Sequence, residues 1–266
     1  MGWSDGDVIT VDGARLHYYR RGSGPPLILA HGATDNGRCW TRLAEALEGE
    51  FDIVAYDARN HGKSESSAFE PGHAGEDMIG VADALGFDRP AAMGHSMGAM
   101  ALTQALALRP DLFRAAVLED PPWRLKLPEP GEAPRVNPAD WSNADRSVEE
   151  IARLGKVASP TWHDDEFPDW AEAKLQFRPS DSWIEAIRRG GMPPWEPAVK
   201  EFTCPVLLVC GTPEKMAIVT PETASDAQAL YPALEVAAFD AGHNVRREAF
   251  EQVVETVREF LHRYDP

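Results

Sequence analysis

The sequence predicts an α/β domain, a mostly parallel β-sheet covered by helices, interrupted by one insertion. Three observations predict it. Short apolar runs alternate with stretches of helical spacing along most of the 266 residues. That alternation suits strands buried on both faces and crossed over by helices. The rhythm fails between Pro121 and about Glu201, where Pro, Trp and charge dominate. Finally, Ser96 sits in GHSMG (94–98), where an apolar run gives way to a helical one. Such strand-to-helix junctions are where open α/β sheets bind ligands.

The elements follow in order. LHYY (16–19) alternates as an early strand, and PLILAHG (26–32) reads as a buried strand ending in a turn. CWTRLAEALEG (39–49) has helical spacing and a glycine stop, and FDIVAYD (51–57) is the next strand. Residues 72–86 read as a helix ending at Gly86. AAMG (91–94) is a short strand, and 96–110 is a helix closed by Pro110. FRAAVLED (113–120), CPVLLVCG (204–211) and LEVAAFD (234–240) are strands. A helix is expected from Pro221 to about Tyr231, and a last one from about Arg247 to Tyr264. Residues 1–120 and 201–266 thus form the expected core domain. Residues 121–200 form an expected cap over the carboxyl edge of the sheet, with short helices at 147–154, 168–177 and 181–189 and a loop or hinge at 121–134.

Composition narrows the function. The net charge is −17, from 43 acids against 26 bases. Nucleic acid and anionic membranes need cationic contacts, so neither is an expected partner. No stretch approaches the roughly 18 apolar residues of a membrane span. The opening MGWSDGDVIT lacks the basic-then-apolar order of a secretory signal. Cys39, Cys204 and Cys210 are an odd, scattered set with no disulfide framework or metal-type pair. A cytoplasmic location and a small-molecule substrate are expected.

The glycines around Ser96 suggest a reason for their spacing. A sharp turn from strand to helix strains the central residue, and small residues two places away let strand and helix approach. The turn presents a serine hydroxyl at the head of a helix, the arrangement of a nucleophile elbow. The Met97 amide, next in the helix, then points where an oxyanion would form. AHGATDNG (30–37) follows the central strand and offers a second amide, from Ala33 or else Gly32. One such donor is typically worth about 3 kcal/mol of transition-state stabilisation. His31 precedes that turn and reads as structural. His243 lies in AFDAGHNVRREAF (238–250), between the last strand and last helix, and the order serine, acid, histidine suits it as the general base. The acid has three candidates. Asp120 ends a strand and is held by two prolines; Glu214, in GTPEKM, follows the later strand; Glu119 adjoins Asp120. Asp120 is favoured.

With HGATDNG, DARNHGKS, GHSMG and DAGHN in this order, the chain resembles the α/β-hydrolase fold over residues 7–120 and 200–265. The resemblance implies an eight-stranded sheet, a Ser-Asp-His triad and no cofactor or metal. It carries the nucleophile to Ser96, the base to His243 and the oxyanion donors to Met97 and Ala33. An acid after the earlier strand is similar to a subset that includes fungal zearalenone-type lactone hydrolases. Two departures stand out: Asn60 where many relatives have glycine, so that turn is expected to differ, and GTPE in place of the more common aspartate. Haloalkane dehalogenases and epoxide hydrolases of this fold use aspartate as nucleophile, and dienelactone hydrolases use cysteine. Serine points to acyl transfer to water.

Other constellations read blandly. HGKS (61–64) lacks the first glycine of a phosphate loop and is a turn. HDDEF (163–167) reads as an exposed acidic turn. Trp123, Trp141, Trp162, Trp170, Trp183 and Trp195 fall in the insertion. Most suit a small hydrophobic core of its own, while Trp123 and Trp183 are candidates to line the substrate pocket. The expected function is a serine hydrolase for a modest ester or lactone bearing an apolar or aromatic group. The same residues would also serve amide, thioester or carbon–carbon cleavage, and a ligand receptor on the same scaffold is a third reading.

Overall fold

The computed structural model describes residues 2–68, 70, 72–123, 143, 145–182 and 194–265. Its strands are β1 (Ser4–Ile9), β2 (Arg15–Gly22), β3 (Pro26–Ala30), β4 (Asp52–Tyr56), β5 (Ala91–His95), β6 (Ala115–Glu119), β7 (Val206–Cys210) and β8 (Leu234–Ala238). They form one eight-stranded sheet in the order β1-β2-β4-β3-β5-β6-β7-β8. Strands β1 and β2 are antiparallel to their neighbours, and from β4 to β8 every pairing is parallel. Successive residues of a strand face opposite sides. Leu27 and Leu29 therefore join one buried cluster with Val117 and Phe260, while Ile28 and Ala30 join the other with Leu102 and Leu208. The runs read as continuous apolar stretches because both faces are covered.

The helices are α1 (Thr41–Leu47), α2 (His73–Ala84), α3 (Met97–Leu108), α4 (Val148–Ala158), α5 (Phe167–Gln176), α6 (Glu196–Val199), α7 (Pro221–Leu230), α8 (Val245–Glu248) and α9 (Phe250–His262). Two expectations change and one strand is added. β1, whose SDGDVI is a largely exposed edge, has no apolar run to mark it. The helix expected from 39 begins as a 3-10 turn over Gly37–Trp40. The last helix divides at Ala249 (φ −122°, ψ 46°) into α8 and α9. The piece expected at 181–189 lies mostly outside the described residues. Helices α4 and α5 lie between β6 and β7, as the break in rhythm predicts.

Register places the site. Gly94 of β5 lies between Ala30 of β3 and Leu118 of β6, and His95 pairs with Glu119. The carboxyl ends of these strands therefore share one edge, where residues 31–36, Ser96, Asp120 and the 211–219 loop emerge.

Candidate active site

Ser96 sits at that edge with φ 50° and ψ −112°, backbone angles an L-residue rarely adopts. Its amide donates to the Glu119 carbonyl (2.9 Å), tying the bend to β6. A Cβ on Gly98 would overlap the Ala30 carbonyl, and one on Gly94 would overlap the Gly98 carbonyl. The two glycines are required because strand and helix touch backbone to backbone.

Ser96 Oγ donates to His243 Nε2 (3.0 Å), and His243 Nδ1 donates to Asp120 Oδ2 (2.6 Å). The second bond leaves Nε2 free to accept. Asp120 is fully buried, with φ 42°. Its carboxylate also accepts from the Ile218 (2.8 Å) and Val219 (2.9 Å) amides, which fix its plane. The histidine loop is held from beneath. His95 Nε2 donates to the His243 carbonyl (3.0 Å), and the two rings lie 4.8 Å apart. Burial lowers the His95 pKa well below the usual value, and its buried Nδ1 has no partner among the described residues.

The other two acid candidates lie elsewhere. Glu119 is fully buried, but its oxygens accept from the Arg246 amide (2.8 Å) and guanidinium (3.0 Å). It anchors the chain just after His243 without touching the imidazole. Glu214 is exposed in a 3-10 turn, and no described bond joins it to His243.

At the oxyanion position, Met97 is the first residue of α3, where an amide has no intrahelical acceptor. Neither the Met97 nor the Ala33 amide donates to a described protein group. Gly32 faces inward too: a Cβ there would meet Ser96 Cβ at 3.7 Å and the His95 ring at 2.8 Å. His31 is buried, with its pKa lowered to about 3 chiefly by burial. Its Nε2 accepts from the Ala58 amide (3.0 Å), so Nδ1 carries the proton and donates to the Gly32 carbonyl (2.8 Å).

Trp123 packs inward. It is 6% exposed, stacks on Trp195 at 4.8 Å, and donates from Nε1 to Thr103 (3.1 Å). Its polar atom and one ring face serve the core. Trp183 lies outside the described residues, as does Trp141. Trp162 and Trp170 pack around Phe167. Glu166, read as part of an exposed acidic turn, is buried and binds Arg247 (3.1 Å). Asn60 takes φ 68°, a left-handed bend that asparagine tolerates, and its amide group bonds both main-chain groups of Ser67.

Sequence reasoning missed a charged cluster behind the site. Asp35 accepts from Lys174 (2.8 Å) and Arg247 (3.0 Å), and those cations, with the opposing charges, hold its pKa well below the usual value although burial pushes it up. The guanidinium of Arg246 lies 3.9 Å over Trp40, and that of Arg247 lies 4.6 Å over Trp162. Among the described residues, no group of three or more His, Cys, Asp or Glu side chains could hold a metal ion, and no helix is long and apolar enough to cross a membrane.

An eight-stranded sheet that delivers a bent serine, a histidine and a buried carboxylate to one edge defines a class, the hydrolases of α/β architecture. Comparison with known proteins makes the assignment definite. The model of the alpha/beta hydrolase family matches residues 27–256, and the chain belongs to that family. It is 28% identical over 258 residues to 2-(acetamidomethylene)succinate hydrolase of Mesorhizobium japonicum, covering 92% of this chain and 91% of that protein. An epoxide hydrolase of Caballeronia sordidicola is 33% identical over 112 residues, which span 40% of this chain and only 34% of that protein. Among solved structures, an esterase from Rhodococcus sp. superposes with a TM-score of 0.76 at 21% identity, covering 98% of this chain and 99% of that one. At that identity the likeness concerns the fold.

Proposed function

We propose that the protein is a serine hydrolase cleaving a small carboxylic ester or lactone through an acyl-enzyme on Ser96. The observation that carries the reading is the unbroken series Ser96 Oγ, His243 Nε2, His243 Nδ1, Asp120 Oδ2, at 3.0 and 2.6 Å. His243 takes the serine proton as Oγ attacks the carbonyl, and returns it to the leaving group. Asp120 keeps the imidazole in the required tautomer and stabilises its charged form. The Ala33 and Met97 amides receive the oxyanion. Water then repeats the cycle on the acyl group. A serine at the elbow, where this fold's epoxide hydrolases carry aspartate, favours acyl transfer over epoxide opening.

The insertion between β6 and β7 covers this edge and selects the substrate in the same reading. A cavity of about 310 Å³ beside Thr34 is lined by Ile151, Leu154, Trp170 and Phe177 together with Asn143, Arg146 and Lys174, and none of the three triad residues lines it. A second bond type has its own support. The full-length relative acts on a substrate whose name carries an acetamido group, so amide cleavage by the same residues is the alternative.

Intact mass after incubation with a fluorophosphonate tests the chemistry. One adduct on the wild type and none on Ser96→Ala is expected. No adduct on the wild type would overturn the reading. Turnover of matched ester, lactone and anilide substrates then separates ester from amide cleavage.

A further inference from the structure

We propose that Lys174, carried by α5 of the insertion, is a positioning residue for the oxyanion hole. The inference rests on the reading of Ala33 and Met97 as oxyanion donors. It starts from three consecutive carbonyls. That of Gly32 accepts from His31 Nδ1 (2.8 Å) and from the Asp35 amide (3.0 Å). That of Ala33 lies 2.6 Å from His61 Nε2. That of Thr34 accepts from Lys174 Nζ (2.9 Å). The first and third are held by side-chain donors and the second lies against the His61 ring, whose Nδ1 is also 2.8 Å from the Arg59 carbonyl, while the Ala33 amide in their midst has no described protein acceptor. A peptide unit is planar, so fixing the Gly32 carbonyl fixes the Ala33 N–H on the same unit. The next two carbonyls hold the units that follow and stop the loop from rolling.

The Lys174 ammonium has three protons and meets three acceptors: the Thr34 carbonyl, Thr34 Oγ1 (2.7 Å) and Asp35 Oδ1 (2.8 Å). Its side chain is only 10% exposed and its Nζ lies 4.7 Å over the Trp170 ring. Asp35 keeps Arg247 as a partner if the lysine is lost. Thr34 has no other side-chain donor among the described residues, so holding its carbonyl is what Lys174 alone supplies. The chain around it runs along the same loops. Asn36 donates to Gln176 (2.8 Å), the Phe177 ring lies 4.8 Å from that of His61, and the Arg178 amide donates to the Asn60 carbonyl (2.8 Å). Through Lys174 alone, the segment that covers the site also aims one of its catalytic amides.

The test compares wild type, Lys174→Met and Gln176→Met, using an activated aryl ester as substrate and an aryl boronic acid as tetrahedral adduct former. Gln176→Met removes a bond of the same segment that does not reach the three carbonyls. For Lys174→Met, kcat falls about 10- to 100-fold, on the scale of a displaced oxyanion donor. Boronate affinity falls in parallel and KM stays nearly constant, whereas Gln176→Met leaves kcat unchanged. An unchanged kcat in Lys174→Met, a rise in KM alone, or an equal loss in Gln176→Met would overturn the proposal. Should Lys174→Met not fold, Lys174→Gln keeps one donor: a smaller fall in kcat is expected, and no fall overturns the proposal. A wild type that neither hydrolyses the ester nor takes a fluorophosphonate ends the serine-hydrolase reading itself. An active wild type with an equally active Lys174→Met ends only this one.

Discussion

Asp120 reaches His243 because its own backbone bends to φ 42° at the end of β6, with Pro121 and Pro122 following. Its carboxylate is then spanned by two amides and one imidazole N–H, all donors to an ionised acid. Asp120→Asn puts an NH2 group among those donors and favours the wrong histidine tautomer. A fall in kcat of about 10⁴ is expected, measured on an activated ester. Glu214→Gln, at an exposed position, should leave kcat unchanged; the reverse pattern would move the acid to the later strand. Gly98 admits a second test at this scale. The overlap of a Cβ with the Ala30 carbonyl involves backbone on both sides, so neither can yield cheaply. Gly98→Ala should cost about 1–3 kcal/mol, as overpacking does, read from urea unfolding, and should abolish fluorophosphonate labelling of Ser96.

At the level of elements, α8 is the short helix that matters most. Its break from α9 at Ala249 lets Arg246 and Arg247 turn inward, the first to Glu119 and the second to Asp35 and Glu166. Arg247 therefore joins three pieces: the loop after β3, the turn before α5, and the chain just after His243. Arg247→Met leaves Glu166 buried and without its cation. Breaking such a pair from one side costs about 3–5 kcal/mol, and adding Glu166→Gln should restore part of it. Urea unfolding of both single variants and the double variant measures the coupling; strictly additive effects would mean that the pair contributes nothing as a pair. None of this was legible in the sequence, because Arg247 lies 81 residues from Glu166 and 212 from Asp35. The strands β3 to β7 were legible for the opposite reason. Burial on both faces writes itself locally as unbroken apolar runs. The edge strand β1, which buries little, wrote nothing. At the site, Ser96 and His243 announced themselves through their glycine-flanked turns. Glu166 looked like surface because its partner was far away in the chain.

Across the whole molecule, three buried histidines share one electrostatic state. Burial lowers the pKa of His31 to about 3, that of His95 well below its ordinary value, and that of His61 in the same direction. Burial makes each resist protonation in the native protein, whereas in the unfolded chain each titrates near the ordinary 6.5. As pH falls through 6.5, the unfolded state binds protons that the native state does not. Stability therefore falls on acidification, by up to about 1.4 kcal/mol per pH unit for each histidine fully protonated only when unfolded. Glu119 and Asp57 carry pKa values raised by burial, so they act with the opposite sign. The histidines act as pH falls from about 6.5, the window in which the unfolded rings protonate. Urea midpoints should drop steeply across that window, and His31→Gln, which removes one titrating ring, should flatten the slope. A midpoint independent of pH there would mean that the rings are protonated in the native state. The His31 ring also holds the Gly32 carbonyl. That bond persists while the ring resists protonation, so the fall in stability across the window comes from proton uptake by the unfolded chain.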